Sequence, residues 1–519
     1  MSRLRRDNVS AIFVHAGAGF HHPDTQSLHL ETCENAAKVA MTMLKNGGSA
    51  VDAVEMAIML MEDTDITNAG YGSNMTIDGT VECDATIVNH LGRSGAVGAV
   101  AQVKNPISLA RVVLENTTKP LLLERVPPNF LVGQGATDFA YEHGLVVLPH
   151  DGLKSSGAMR RWNDWHKDLE AAHLHQVQQS PAKYQAEHHK ACIRRPVNVH
   201  PAQLLAPAGT IPPPSANSHL SGKSVDLVAT ADEPRLVSRS SGAATPANSN
   251  RHLRSSPAAK ASEYIDGALP HECSFGSASG GTLLGASTIL LSESNVSGIE
   301  SGSKPQSGST NTIQRGNNVY HTQMDRISDT VGAIAVDSQG NIAAGSSSGG
   351  IGMKHRGRIG PAALVGVGTT VIPVDPSDPE KTCVATVTSG TGEHITTTMA
   401  ASTCASRIYY NQRKCSDGSF EEVAEDEALR STIASDFMGH PGVKGSHHPG
   451  AIGVMAVKKT VDGVYLWFSH NTDSFALASM SSEDKRPVSV MSRNNGHGTI
   501  AQGGRAYRYK RYRISGAPA

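Results

Sequence analysis

The residues with the clearest potential for chemistry are Asp329 and Thr330, where a long polar segment gives way to the apolar pattern of residues 331–336. If the chain is cut between them, Thr330 becomes an N-terminal residue that carries both a hydroxyl and a free α-amine. Such an amine has a pKa of about 7.7–8.0, so near neutral pH part of it can take the proton of the neighbouring hydroxyl. The pair therefore predicts a threonine nucleophile that the chain makes by cutting itself.

Other common chemical motifs are absent from the sequence. It contains no phosphate-binding G-x-x-x-x-G-K-[ST] pattern, and the glycine-rich segments 17–19, 349–352 and 390–392 do not fit a dinucleotide fingerprint. The 24 histidines include no H-E-x-x-H pattern, and the paired ones lie among polar residues, as is typical of solvated side chains. We therefore expect neither a cofactor nor a metal ion.

The composition excludes several classes of protein. A net charge of −1 argues against a globally basic nucleic-acid binder, and no apolar run is long enough for a spanning helix, so we expect no membrane partner. The apolar run of residues 11–14 is too short for a signal peptide. The seven cysteines are scattered without a C-x-x-C pair, which predicts a reducing compartment, nuclear or cytoplasmic.

The residue distribution divides the chain into four segments. Hydrophobic residues make up only 39 % of the chain, and the deficit is concentrated in residues 196–327, which hold 11 of the 26 prolines. Such a segment cannot bury enough apolar surface to offset its chain entropy, so it is predicted to be a disordered insert. Residues 1–155 and 328–519 have the patterns of structured chain, and residues 156–195 form a polar extension of helical character.

Periodicity predicts the elements of the two structured segments. Apolar residues recur at helical spacing over residues 50–61, and residues 31–46 lack helix breakers, so both are predicted helices. Proline at the first turn favours a third helix from residue 106. The other predictions are a helix over 394–412, loops over 15–19 and 68–74, and strands over 81–88, 331–337, 342–348, 383–387, 451–457 and 464–468.

Short blocks on both sides of the insert resemble the type 2 asparaginase family of N-terminal-nucleophile (Ntn) hydrolases. They include H-A-G-A-G at 15–19, N-A-G-x-G-S-N at 68–74, E-C-D-A at 82–85, D-T-V-G-A at 329–333, S-S-G-G at 347–350, K-H-x-G-R-x-G at 354–360 and S-G-x-G-E-H at 389–394. The resemblance implies an α/β fold, a four-layer αββα sandwich, interrupted here by the disordered insert. It also implies two fragments that stay together as a heterodimer or a dimer of heterodimers.

Within the family, the Asp that precedes the nucleophile is similar to the threonine aspartase (taspase) branch. That branch implies an endopeptidase whose partners are polypeptides with Asp at the cleavage site. Roles carry over to the positions that match the family's motifs. These are the autocleavage pair, Asp329 and Thr330; the nucleophile and base, Thr330; a hydroxyl that tunes it, Ser348; the oxyanion-hole pair, Ser389 and Gly390; and substrate-binding residues, Arg358, Lys354 and Gly17.

The sequence departs from the small-molecule asparaginases at Pro361. Those relatives carry an Asp there, which holds the α-ammonium group of a free amino acid. A reacting Asp inside a polypeptide has no such group, so Pro361 favours an endopeptidase. The alternative is an asparaginase or isoaspartyl dipeptidase that acts on small β-aspartyl amides.

Each of these residues also has a structural explanation. Thr330 can simply begin a strand, and Ser348 can bond to the backbone at a hairpin end. Arg358 can be a surface ion-pair partner, and Ser389 with Gly390 can form an ordinary turn. Lys354 is as well explained by structure as by substrate contact.

A third function class is a non-catalytic interaction protein that uses the insert and the basic cluster at residues 505–513. This class predicts an intact chain, whereas both hydrolase hypotheses predict two fragments. A sodium-binding loop near residues 62–71, as in asparaginase relatives, is a further alternative that the sequence leaves open.

Overall fold

The structure, a computed structural model, describes residues 4–6, 9–179, 330–494 and 498–513. These residues belong to one compact unit, which the chain builds from 1–193 and 317–519. The insert predicted at 196–327 and the residue Asp329 lie outside the described residues.

The described part before residue 180 alternates strands and helices. Its strands are β1 (Leu4–Arg6), β2 (Ala11–Gly19), β3 (Cys83–Val88), β4 (Ser94–Val100) and β5 (Phe130–Val132). Its helices are α1 (Gln26–Lys45), α2 (Ala50–Glu62), α3 (Pro106–Asn116), α4 (Gly133–Glu142) and α5 (Ser156–Gln179), the last of which lies in the predicted polar extension.

The described part from residue 330 onwards supplies most of the strands. They are β6 (Val331–Val336), β7 (Ile342–Ser348), β8 (Thr369–Ile372), β9 (Cys383–Gly390), β10 (Gln412–Lys414), β11 (Phe420–Glu422), β12 (Ile452–Lys459), β13 (Gly463–His470), β14 (Ser474–Ser481), β15 (Val488–Arg493), β16 (Ala501–Arg508) and β17 (Arg511–Arg513). Its α-helices are α6 (Gly392–Thr397), α7 (Ala400–Tyr410), α8 (Glu425–Ser431) and α9 (Pro441–Lys444), with a π-helix at Thr432–Phe437 between the last two.

Two large sheets pack face to face between helices, as the resemblance implied. The first has the order β15-β14-β2-β6-β7-β3-β4-β5 and the second the order β16-β13-β12-β9-β8. One core lies between the first sheet and helices α1 to α3, a second between the two sheets, and a third between the second sheet and helices α7 and α8. The fold is therefore a four-layer αββα sandwich, the architecture that the resemblance implied.

Both predicted N-terminal helices are confirmed, and their sequences explain where they begin and which face they bury. Helix α2 starts at a capping box, in which Ser49 and Asp52 each bond to the backbone N–H of the other. Its buried residues recur at the predicted spacing and pack on strands β6 and β7. None of the described helices is long and apolar enough to cross a lipid bilayer.

The helix predicted over 394–412 is wrong in one respect, because the structure divides it into α6 and α7. The break falls at Met399, which adopts a left-handed conformation with φ of 50°. Three consecutive threonines precede it, and β-branched residues are poor helix formers. The N–H groups of Ala401 and Ser402 then bond to the carbonyls of Val367 and Gly366, which fixes where the second helix starts.

Helix α3 packs so closely on strand β4 that Gly95 has no room for a side chain. A Cβ atom at Gly95 would lie 2.1 Å from the carbonyl oxygen of Ala110 and 2.3 Å from the nitrogen of Leu114. These are backbone atoms, so they cannot turn away. We expect Gly95→Ala to lower the free energy of unfolding by about 1–3 kcal/mol, measured by denaturant titration.

The matched control is Gly135→Ala in helix α4, where a Cβ atom would meet nothing within 4 Å. Alanine is the better helix former, so this variant is expected to be neutral or to gain up to about 1 kcal/mol. Equal loss of stability in the two variants would contradict the packing described for α3.

Candidate active site

Thr330 lies where the two large sheets meet. It directly precedes β6 of the first sheet, it is buried, and its backbone N–H donates to Oγ of Ser389 in β9 of the second sheet, at 3.3 Å. Ile334 and Val336 belong to the core between the sheets. Because side chains alternate along a strand, Thr330 is directed to the same face as these two residues. The predicted nucleophile is therefore held between the sheets by the start of a central strand.

The Ser389 hydroxyl connects three segments. It accepts a hydrogen bond from the N–H of Ala18 at 3.0 Å as well as the one from Thr330. A hydroxyl has two acceptor lone pairs and one proton, so these bonds use both lone pairs and leave the proton for another acceptor. A negatively charged oxygen that develops beside Thr330 is a suitable acceptor, which is the role that the resemblance implied for Ser389.

Gly390 is the neighbour for which the resemblance implied the second oxyanion contact, and only glycine fits its position. Its φ is +140°, and a Cβ atom would lie 2.2 Å from the carbonyl oxygen of Ala451. The backbone can turn sharply here after β9 because no side chain is present.

The loop predicted over residues 15–19 is wrong, because strand β2 continues to Gly19. The pairing of β2 with β14 shifts register between Phe475 and Leu477, and Gly17 in the shifted stretch has a φ of 106°. The extra residue is accommodated as a β-bulge, which lets the strand continue and redirects its backbone groups. The next N–H, that of Ala18, is the one that reaches Ser389. Gly17, predicted to bind substrate, thus lies beside the site.

Ser348 ends strand β7, the neighbour of β6. Val331 pairs with Ser347, and continuing that antiparallel register by one residue sets Ser348 opposite Thr330. The Ser348 hydroxyl accepts a hydrogen bond from the N–H of Gly350 at 3.0 Å. The structure thus places the Ser348 hydroxyl, predicted to tune the nucleophile, near Thr330. The same hydroxyl also makes the backbone hydrogen bond expected of a serine with a purely structural role.

Arg358 lies in a pocket that glycines leave open. An added Cβ atom would lie 2.9 Å from Nη1 at Gly350, 3.0 Å from Nη1 at Gly360 and 2.5 Å from Nη2 at Gly392. The Arg358 side chain is only 15 % exposed and pairs with the 59 % exposed Glu393, so the ion pair that the structural explanation requires is present, with the arginine as its more buried member. Its Nε–H and Nη2–H groups both donate to Oε1 of Glu393, at 3.0 and 2.8 Å.

A second cation, that of Lys354, lies at the same glycine. A Cβ atom at Gly350 would be 3.4 Å from Lys354 Nζ, and this ammonium group is buried and donates to the carbonyl oxygen of Glu82 at 2.8 Å. Asp84 is a buried acidic residue that interacts with both cations. Burial raises the pKa of Asp84, and the charges of Lys354 and Arg358 oppose that rise. Arginine, lysine and glycine together favour an anionic group in this pocket.

The loop at residues 68–74 fixes the backbone of that pocket. The side-chain amides of Asn68 and Asn74 donate to the carbonyl oxygen of Gly350 at 2.8 and 3.2 Å, and the carbonyl oxygen of Asn68 accepts from the N–H of Gly349 at 2.8 Å. The asparagines of one family block thus hold the glycines of another. Sequence reasoning quoted both blocks but gave the asparagines no role.

His15 is a further residue at this junction to which sequence reasoning gave no role. It pairs across the sheet with Gly332, whose missing side chain makes room for the ring, because a Cβ atom there would lie 2.3 Å from Nε2. Burial lowers the pKa of His15 to about 3, and the Thr330 backbone opposes that shift only in part. The imidazole is therefore neutral beside the predicted nucleophile. The glycine opposite the histidine is the signal that a sequence reader could have used.

Comparison with known proteins gives the chain a family. The sequence pattern of the asparaginase family (Asparaginase) matches residues 8–199 and 284–465, well over half of the chain. The chain therefore belongs to the type 2 asparaginase family, within the Ntn-hydrolase superfamily. The match reaches into both ends of the region that sequence analysis assigned to the polar extension and the insert.

Relatives with curated names are isoaspartyl peptidase/L-asparaginases. The chain is 40 % identical to the one from Rattus norvegicus over 149 residues, which are 28 % of this chain and 42 % of the relative. It is 40 % identical to that from Homo sapiens over 152 residues, 29 % of this chain and 46 % of the relative. The chain thus spans less than half the length of the curated relatives it matches.

The Ser389 hydroxyl gives a prediction about rate. Removal of one oxyanion donor in a hydrolase typically lowers kcat by about 10²–10³. We expect Ser389→Ala to lower kcat by that order on an aspartyl amide while KM changes less than threefold, since the hydroxyl stabilises the charged intermediate more than the substrate. The measurement is steady-state kinetics on fully processed protein.

The conservative control is Ser389→Thr, which keeps the hydroxyl and should retain most of the rate. A loss of the same size in both variants, or a change confined to KM, would remove Ser389 from the catalytic step.

Proposed function

We propose that this chain is a self-processing threonine hydrolase. It hydrolyses amide or peptide bonds in which an aspartyl group supplies the carbonyl carbon. The observation that carries the proposal is the contact between the Thr330 backbone nitrogen and Ser389. After cleavage that nitrogen is the α-amine, so the base, the Thr330 hydroxyl and an oxyanion donor lie together. In this proposal the Arg358 pocket binds a free carboxylate group of the substrate.

Self-processing needs only groups at this junction. The Thr330 hydroxyl oxygen attacks the carbonyl carbon of Asp329, and the peptide nitrogen of Thr330 leaves with a proton. Water then hydrolyses the resulting ester, which yields fragments 1–329 and 330–519. The new α-amine serves as the base in later turnovers.

Turnover of a substrate repeats this chemistry between molecules. The Thr330 hydroxyl oxygen attacks the aspartyl carbonyl, its proton passes to the α-amine, and the amine returns a proton to the leaving nitrogen. The tetrahedral oxyanion accepts a hydrogen bond from the Ser389 hydroxyl, which keeps its proton. Water hydrolyses the aspartyl ester and regenerates the free hydroxyl.

The first candidate substrate is a small β-aspartyl amide, such as asparagine or an isoaspartyl dipeptide. The names of the curated relatives support it. In such a substrate the α-carboxylate would occupy the Arg358 pocket, and the side-chain carbonyl would face Thr330.

The second candidate substrate is a polypeptide cut after Asp. Two features of the sequence favour it. The proposed processing site is itself an Asp–Thr peptide bond, and the residue three positions after Arg358 is Pro361 in place of an acid. Here the carboxylate in the pocket would be the side chain of the reacting Asp. The two fragments are proposed to remain associated as a heterodimer or dimer of heterodimers.

Parallel kinetics on a β-aspartyl dipeptide, asparagine and an Asp-containing peptide distinguish the candidates. We expect turnover of the β-aspartyl substrates, and Arg358→Ala should raise KM at least tenfold because the substrate carboxylate loses its charged partner. Arg358→Lys keeps the charge but not the planar fork, so it should recover only part of that loss.

Cleavage of the peptide alone would select the endopeptidase. No turnover of any of the three by fully processed protein would contradict the proposed function. Thr330→Ala supplies the inactive control for each assay.

A further inference from the structure

The Arg358 pocket contains a carboxylate to which the sequence analysis gave no role. Glu393 lies in the first turn of helix α6, three residues after Gly390. It forms an ion pair with Arg358, which is 35 residues earlier in the chain. Both bonds from Arg358 end on Oε1 of Glu393. An ionised carboxylate has two acceptor oxygens, so Glu393 keeps capacity for another donor.

Glu393 is accessible from solvent while the arginine it binds is not. Its side chain is 59 % exposed, against 15 % for Arg358. Burial alone would raise the pKa of Glu393, but the hydrogen bonds and the charge of Arg358 outweigh that effect and leave its pKa below the ordinary value. Glu393 is therefore ionised at neutral pH and lies at the mouth of the pocket.

The other carboxylates near Arg358 are already engaged. Asp84 is fully buried and accepts the N–H of Ala99 on one oxygen and the N–H of Gly360 on the other, at 2.9 and 2.6 Å. Glu82 is buried and accepts the N–H of Gly357 at 2.8 Å. Neither can turn towards a ligand without leaving a backbone N–H without a partner.

The chemistry of a β-aspartyl substrate determines what such a carboxylate would meet. Its α-ammonium group is on the carbon that also carries the carboxylate, so only one carbon atom separates it from the group that Arg358 would hold. In an Asp-X peptide the carbon next to the side-chain carboxylate is a CH₂ group with no nitrogen. Only the first substrate therefore presents a cation beside the guanidinium group of Arg358.

We infer that Glu393 binds the α-ammonium group of a β-aspartyl substrate and replaces the acid that position 361 lacks. Arg358 and Glu393 then form a matched pair of charges for the carboxylate and the ammonium group of one amino acid. Gly392 precedes Glu393, and its lack of a side chain lets the guanidinium group of Arg358 lie close to the backbone beside Glu393. This inference rests on the first candidate of the proposed function. It makes Glu393 a specificity-determining residue that selects substrates with a free amine.

The test uses two anilides that differ only in the amine. β-Aspartyl anilide and succinyl anilide have the same scissile amide and the same free carboxylate, but succinyl anilide lacks the amine. We expect wild-type protein to prefer the β-aspartyl compound in kcat/KM by at least tenfold. Glu393→Gln should reduce that preference at least tenfold, chiefly through KM, because an amide cannot pair with the ammonium group as a charge does.

The matched control is Glu421→Gln. Glu421 also pairs with an arginine, Arg413, but on the β10–β11 hairpin. Removal of this charge should leave the preference for the amine unchanged. Binding of L-aspartate and succinate, measured by calorimetry on processed protein, gives a second comparison that needs no turnover. Glu393→Gln should weaken aspartate binding at least tenfold more than succinate binding.

The possible results separate the inference from the proposed function. If wild-type protein hydrolyses the β-aspartyl anilide and Glu393→Gln keeps the full preference for the amine, the inference is overturned and the proposed function stands. If Glu393→Gln tightens aspartate and succinate binding equally, Glu393 is a competitor for Arg358 and the inference is also overturned. If neither wild-type turnover nor aspartate binding is observed, both fail.

Discussion

The contact of one hydroxyl group with two strands of the opposite sheet is the constraint on which the rest of the site depends. Ser389 is in the second sheet. The two N–H groups that donate hydrogen bonds to its hydroxyl, those of Ala18 and Thr330, belong to the side of the first sheet. Its hydroxyl can sit there only if the sheets keep their spacing and β2 keeps its bulge. The four-layer fold thus has a direct chemical consequence, since sliding of one sheet over the other would separate the nucleophile from its oxyanion donor.

Glycine is the second constraint, and it explains part of the glycine content of this chain. Gly332 leaves room for the His15 ring, while Gly350 and Gly392 leave room for the guanidinium group of Arg358. Side chains at these places would overlap His15 or Arg358 and displace them from the site. Each cation of the pocket has an acidic neighbour. Buried Lys354 interacts with Asp84, and Arg358 pairs with the exposed Glu393.

Local pattern was enough to predict the central elements. Helices α1 and α2 and the β6–β7 hairpin follow from periodicity and turn residues, and they fix where Thr330 lies. The resemblance supplied the layers of the fold. Local pattern failed where tertiary contacts decide the structure: the bulge at Gly17 depends on pairing with β14, and the break at Met399 depends on carbonyl groups of a distant loop.

The sequence predicted part of the candidate site, including Thr330, Ser389 and Arg358, but it gave His15 and Glu393 no role and did not predict which residues pair. Arg358 and Glu393 stand in two separate motifs, and nothing local to either indicates that they meet. The basic cluster at 505–513 includes residues that form ion pairs within the fold. Arg505 bonds to Asp484, and Lys510 bonds to Glu483. Charge runs in sequence do not reveal such partners.

The most direct test of the central claim is N-terminal sequencing of the purified protein after separation on a denaturing gel. Two fragments are expected, and the smaller should begin Thr-Val-Gly-Ala, the residues from Thr330 onwards. Thr330→Ala should stay whole under the same conditions because it has no hydroxyl to attack the preceding carbonyl. A wild-type chain that remains intact after prolonged incubation, or a fragment that begins at another residue, would contradict the account.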